Sequence, residues 1–243
     1  MAIELADVQL TSTEGAFGAV LAVPEGAGPW PALVVVHEIF GVDDAMRAHL
    51  RRLAGMGYLA LMPDLYWRGG ARRCLVATVR ALRSGRGAAF SDIEAARTAL
   101  LDRPDCTRAV GVIGFCLGGG FALLAASRGF EAASVNYGML PDDLDAALEG
   151  ACPVVASYGG ADRALPGAAA KLETALEARG IRHDVTEYPG ANHAFLNDRP
   201  AGWWWARPFL RIRGMGPDPD AAAQAWTRVD AFLRRELTGS PGA

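Results

Sequence analysis

The run Val110-Gly111-Val112-Ile113-Gly114-Phe115 is apolar, then breaks around a single cysteine into Cys116-Leu117-Gly118-Gly119-Gly120. That pattern suits a nucleophile on a sharp strand-to-helix turn, where backbone strain and close approach of the next helix demand minimal side chains on either side. Gly114 and Gly118 stand at the flanking positions. A helix opening at Leu117 would aim unsatisfied N–H groups and its positive end at the sulfur, favouring a thiolate and any oxyanion formed beside it. The chemistry open to Cys116 is therefore covalent acyl transfer. Two plainer roles compete, since glycine-rich turns also cradle phosphates and free cysteines are often buried as small hydrophobes. The Lys-Ser/Thr ending of a phosphate loop and the Gly-x-Gly-x-x-Gly of a dinucleotide site are both missing from this run.

The elements that must position Cys116 follow from the alternation of strand-length apolar runs with helical spacing, the mark of a mostly parallel, doubly wound sheet with helices on both faces. Buried strands are predicted at Ala32–His37, Gly57–Pro63, Val110–Phe115, Ala133–Gly138, Pro153–Gly159 and Asp184–Tyr188. Helices are predicted from Met46 to Met56, from a Ser91 N-cap with Glu94 as its capping-box partner to about Leu101, from Gly167 to Arg179, and from Asp220 to Leu237. The whole of 1–243 reads as one α/β domain without repeats.

Reactive groups in such a sheet collect where strands end at their C-terminal edge. That filter returns His37-Glu38-Ile39, Pro63 to Arg68, Cys116, Gly160-Ala161-Asp162 and Gly190-Ala191-Asn192-His193-Ala194-Phe195. Cysteine, acid and histidine thus occur in the order nucleophile, Asp162, His193, which is the chain order of α/β-hydrolase triads: the imidazole takes the nucleophile's proton and the acid fixes its tautomer. Taken singly, Asp162 is also good turn chemistry and His193 an ordinary loop histidine.

The stretches His37-Glu38-Ile39-Phe40-Gly41-Val42, Pro63-Asp64-Leu65-Tyr66, Gly114-Phe115-Cys116-Leu117-Gly118-Gly119, Gly160-Ala161-Asp162 and Gly190 to Phe195 resemble the dienelactone hydrolases, over roughly residues 15 to 198. The resemblance implies a single-domain α/β-hydrolase with Cys116 as nucleophile, His193 as general base and then acid, and Asp162 as its orienter. It places the oxyanion hole at the backbone N–H groups of Leu117 and Ile39, and it makes Glu38 a gate that holds the resting thiol. A carboxylate beside sulfur disfavours thiolate and so protects it between turnovers; capping the donors of its own loop is the simpler role for Glu38. Family members that take a carboxylated lactone hold the carboxylate with two arginines. Arg68 matches one, Asn197 replaces the other, and Arg199 stands nearby. Tyr66, Phe40 and Tyr137 are expected to line the pocket with them.

A formal charge of −3 argues against nucleic acid or an anionic membrane as the partner. No run approaches the roughly 20 apolar residues of a membrane span, and the N-terminus lacks a basic and apolar leader, so a cytoplasmic protein is expected. The four cysteines show neither disulfide nor zinc-ligand spacing; Cys74, Cys106 and Cys152 are expected to be reduced and structural. The remaining histidines, His37, His49 and His183, read as structural, and Arg72, Arg73, Arg80, Arg83 and Arg86 as a solvated helical face. Residues 199–219 form an irregular segment with Trp203, Trp204 and Trp205 followed by Arg207, Arg211 and Arg213, suited to covering the pocket, packing the last helix or filling an oligomer contact.

The expectation from these readings is a hydrolase of lactones or activated esters working through an acyl-cysteine intermediate, with no cofactor or metal, a small-molecule partner, and a monomeric or homodimeric state. Two alternatives use the same residues: a biosynthetic enzyme that cyclises or isomerises its substrate, and a thiol sensor or binding protein without turnover.

Overall fold

The computed structural model describes residues 3–200 and 215–239, without the side chains of 71–73. One sheet of eight strands runs through the molecule in the order β1-β2-β4-β3-β5-β6-β7-β8. Its strands are β1 (Leu5–Ser12), β2 (Gly15–Ala22), β3 (Trp30–Val36), β4 (Leu59–Pro63), β5 (Cys106–Phe115), β6 (Ala133–Asn136), β7 (Val154–Gly159) and β8 (His183–Tyr188). From β4 to β8 every neighbouring pair is parallel, whereas β1 and β2 form an antiparallel hairpin whose second strand pairs antiparallel with β4. The helices are α1 (Asp44–Gly55), α2 (Gly70–Ser84), α3 (Ala88–Leu101), α4 (Leu117–Ala125), α5 (Leu144–Ala147), α6 (Ala168–Ala178) and α7 (Pro219–Thr238).

The period of two along each strand divides the core cleanly. Ala32, Val34 and Val36 of β3 and Leu59 and Leu61 of β4 face one apolar layer, which α3, α4 and α6 close with Phe90, Phe121 and Leu172. Leu33, Val35, Ala60 and Met62 face the other, closed by Met46, Leu50 and Leu53 of α1 and by Trp226, Val229 and Phe232 of α7. Burial on both faces is why these strands read as continuous apolar runs.

Helix α5 is not among the expected elements and β5 begins four residues earlier than expected; two further departures bear on the site. The β1–β2 hairpin lies ahead of the first expected strand, and α3 begins at Ala88 with Gly87 as its N-cap, three residues before the expected cap. Ser91 therefore sits inside the helix, and Glu94 pairs with Arg128 instead of closing a capping box. The physical reason is burial: Ala89 and Phe90 pack into the core, and this draws an additional turn into the helix. Arg80, Arg83 and Arg86 are exposed, as a solvated face requires. Among the described residues no helix is long and apolar enough to cross a membrane.

Candidate active site

Cys116 occupies φ 54°, ψ −116° between β5 and α4, a conformation that costs an L-residue about 1–3 kcal/mol and survives only where surroundings hold it. Its N–H bonds to the Asn136 carbonyl at 3.1 Å and its carbonyl accepts from Gly119 at 3.0 Å. The glycines are demanded by contact. A Cβ on Gly114 would lie 1.9 Å from the Gly118 carbonyl oxygen, and one on Gly118 would lie 2.1 Å from that of Val36. This closeness brings the start of α4 against the end of β3, so the Leu117 and Ile39 amides come from two adjoining strand ends. Neither amide donates to another backbone group among the described residues.

The loops after β7 and β8 are stitched together by Gly160 N–H to Tyr188 O at 2.7 Å and Ala161 N–H to Ala191 O at 3.0 Å. On that frame the Nδ1–H of His193 donates to Asp162 Oδ2 at 2.6 Å, while the other carboxylate oxygen accepts from Ala164 N–H at 2.9 Å. Cys116 lies close enough to His193 to raise its pKa alongside Asp162, so the three groups interact in the order Asp162, His193, Cys116. Burial alone would suppress the imidazolium, but the bonds and charges of Asp162 and Cys116 outweigh it and push His193 up to about 10. Burial works against the Asp162 carboxylate as well, yet the His193 bond carries it below the usual range. The segment entering α7 holds this loop from behind, with Gly216 N–H on the His193 carbonyl at 3.0 Å and Asp218 N–H on that of Phe195 at 3.1 Å.

Glu38 is buried at the end of β3. Its Oε1 accepts from the Asn197 amide at 3.2 Å and the Tyr137 hydroxyl at 3.3 Å, whereas the influence of Cys116 is felt at His193. Burial, reinforced by Asp43, pushes its carboxyl up to about 7. A carboxyl raised from 4.5 contributes stability that is fully present below 4.5 and lost as pH rises through 7. Glu38→Gln keeps the accepting oxygen and cannot ionise, so it should match wild type at pH 4.5 and exceed it above pH 7 by about 1–3 kcal/mol. Thermal melts from pH 4.5 to 9 check this; a constant difference across that range would contradict it.

The other predicted residues divide. Tyr66 donates to the Ile39 carbonyl at 3.0 Å and so braces the loop after β3; burial and the nearby Cys116 raise its phenol. Tyr137 bonds Glu38, and its ring lies 5.2 Å from that of His193. Phe40 is half-buried in the same turn as Ile39. Arg68 has a different partner from the one expected. Its guanidinium is held bidentate by the buried Asp92 of α3 at 2.6 and 3.0 Å and also donates to Gly15 O at 2.9 Å, because the unforeseen hairpin and α3 converge there. Arg199 pairs with Asp198. Trp203, Trp204, Trp205, Arg207, Arg211 and Arg213 lie outside the described residues. All four cysteines are free.

Two histidines read as structural prove to hold the site. The Nδ1–H of His37 donates to Glu38 O at 2.7 Å while Nε2 accepts from Leu65 N–H at 3.1 Å, clamping the loops after β3 and β4 together. Burial lowers its pKa and keeps the ring neutral, as this clamp requires. His49 Nε2 lies 2.7 Å from Asn197 Oδ1. The available signal was its spacing: His49 falls on the Met46, Leu50, Leu53 face of a helix, and a buried imidazole there needs a polar partner.

Residues 17–237 match the model of the Dienelactone hydrolase family. The chain belongs to that family. It is 34% identical to a carboxymethylenebutenolidase-like protein of Methylorubrum extorquens over 94% of its own length and 80% of that protein's. It is also 34% identical to one of Escherichia coli K12, over 72% and 71%. A dienelactone hydrolase-type structure from Klebsiella pneumoniae superposes with a TM-score of 0.76 at 26% identity, covering 99% of this chain and 100% of that one. A dienelactone hydrolase-like promiscuous phosphotriesterase from metagenomic libraries superposes at 0.80 with 23% identity, over 98% and 100%, and bears on the fold alone. The chain is thus a dienelactone hydrolase-like hydrolase with a single α/β domain.

Proposed function

We propose that this member of the dienelactone hydrolase family cleaves lactones or activated esters through an acyl-Cys116 intermediate. The observation that carries the reading is the row Asp162, His193, Cys116, with the cysteine on a strained turn and, among the described residues, no backbone partner for the Leu117 and Ile39 amides. His193, held up at about 10, keeps the Cys116 proton as the imidazolium, and the thiolate attacks the acyl carbon. The carbonyl electron pair moves to oxygen, where the Leu117 and Ile39 N–H groups meet it; each such donor is worth about 10²–10³ in rate. As the carbonyl reforms, the C–O bond breaks and His193 protonates the leaving alkoxide. In a lactone this oxygen stays attached as the hydroxyl of the opened chain. His193 then takes a proton from water as the water oxygen attacks the acyl carbon; the C–S bond breaks, the acid leaves, and His193 shares that proton again with the freed Cys116 sulfur.

The test is stopped-time intact mass spectrometry with p-nitrophenyl acetate and a carboxylated enol-lactone. Wild type should show a transient adduct of acyl mass, His193→Ala a persistent one at alkaline pH, and Cys116→Ala none. Turnover by Cys116→Ala would sink the reading.

Arg68 and Asn197 each hold another protein group, so neither is the handle for a substrate carboxylate. Arg68→Met should leave the ratio of rates on the two substrates within about twofold. It should also cost about 2–4 kcal/mol of stability, because Asp92 is left buried without its cation. A collapse of the lactone rate alone would restore Arg68 as an anion anchor.

A further inference from the structure

Glu38 is one end of a buried chain of polar groups that reaches away from the reacting pair. Its Oε1 accepts from Asn197 Nδ2 at 3.2 Å, and Asn197 Oδ1 meets His49 Nε2 at 2.7 Å. His49, Asn197 and Glu38 are each 2% exposed, so all three are shut off from bulk solvent. The His49 ring is stacked on Phe115 with centroids 4.3 Å apart and planes 8° from parallel, and Trp226 packs against it at 5.4 Å. Phe115 immediately precedes the nucleophile, so the same ring that supports the elbow fixes the plane of His49.

An amide oxygen can only accept, so the close nitrogen of His49 must carry its proton at Nε2. That proton decides which way Asn197 faces. With Nε2–H on Oδ1, the NH₂ end is turned to Glu38; with the imidazole removed, the amide is free to present its oxygen instead.

We propose that His49 is a positioning residue for the hydrolytic site: through Asn197 it holds an N–H donor on Glu38 and thereby keeps Glu38 available as a carboxylate. The proposal rests on the reading of Cys116 and His193 as the reacting pair, since it is beside that pair that Glu38 acts.

The surrounding charges leave His49 the means to do this. Around the imidazole stand Arg52 of the same helix, Asp43 at its N-cap and Asp198 next to Asn197; burial dominates them and holds His49 down at about 4, neutral throughout the working range. Facing Glu38 are Asp43, which disfavours its charge, and His193, Asn197 and Tyr137, which favour it. Of the neutral donors among these, Asn197 is the one whose orientation depends on His49. By reciprocity, an ionised Glu38 favours the imidazolium of His193, so its titration is felt at the reacting pair.

The experiment titrates Glu38 by the infrared carbonyl band of its protonated form, assigned by its loss in Glu38→Gln, alongside the pH profile of kcat/KM on p-nitrophenyl acetate. His49→Phe keeps an aromatic ring on Phe115 and removes the donor. It should raise the midpoint of the band by about one pH unit and move the profile in the same direction. His49→Gln, which restores an N–H near the position of Nε2, should return both towards wild type. In a Glu38→Gln background, His49→Phe should leave the profile unmoved. Should His49→Phe fail to fold, Asn197→Leu removes the same donor and should raise the midpoint likewise.

A loss of rate with both midpoints unchanged, or a profile shift that persists without Glu38, would overturn the proposal. The infrared band does not need turnover. A shifted band in a protein that forms no acyl adduct would therefore count against the hydrolytic reading and not against the His49 contact.

Discussion

Asp162→Asn is expected to fold and to lose about 10³–10⁴ in kcat on p-nitrophenyl acetate. The reason lies in which atoms the carboxylate uses. One oxygen accepts from Ala164 N–H at 2.9 Å and the other from His193 Nδ1–H at 2.6 Å. In an asparagine the oxygen stays on Ala164, since that amide can only donate, and the NH₂ group is left facing His193. Nδ1 must then accept, the ring proton moves to Nε2, and the imidazole presents a donor to Cys116 where the reaction needs an acceptor. The same substitution has a signature in stability. His193 is held at about 10 against 6.5, so its contribution is fully present below 6.5 and lost as pH rises through 10. Asp162 is depressed below 3.8, so its contribution is present above 3.8 and lost as pH falls below it. The Tm deficit of the variant should therefore be widest between those limits and close towards pH 10. A rate loss under tenfold would remove Asp162 from the role of orienter.

How far this site was legible in the sequence depends on how local each cause is. The parallel strands announced themselves because burial on both faces leaves unbroken apolar runs, and the elbow did because the Gly114 and Gly118 contacts exclude any Cβ. Once those strands were placed, the edge rule put Asp162 and His193 on the same rim. The hairpin was hidden because β1 has no buried position, only half-buried and exposed ones, and five of the eight residues of β2 are alanine or glycine; β2 gains its place by pairing with β4, which lies far along the chain. That omission propagated to Arg68, whose partner Asp92 can be seen only when the hairpin and α3 are both in place. Asn197 and His49 illustrate the same limit across 148 residues. A lone asparagine and a lone histidine carry no pattern, although a histidine on an apolar helix face signals a partner somewhere.

Gly118→Ala is expected to be among the most damaging single methyls in the described residues. In a helix, replacing glycine with alanine ordinarily gains up to about 1 kcal/mol. Here the new Cβ would stand 2.1 Å from the Val36 carbonyl oxygen and 2.7 Å from that of His37, so backbone and not a flexible side chain must give way. Such a clash costs about 3 kcal/mol or more, which for a domain of this size lowers Tm by about 6–12 °C. The segment forced outward is the one that carries Ile39 and Glu38, so the damage reaches the chemistry. With one oxyanion donor displaced, kcat/KM should fall by about 10²–10³ even in the fraction that remains folded. Gly55→Ala is the control, since a Cβ there meets nothing within 4 Å and should change Tm by no more than about 4 °C. If Gly118→Ala melted like that control yet lost its activity, β3 would have yielded at small cost, and the close seam between β3 and α4 would matter for aiming the Ile39 amide more than for holding the fold. If it melted low but its folded fraction hydrolysed ester at the wild-type rate, the Ile39 amide could not be part of the oxyanion hole.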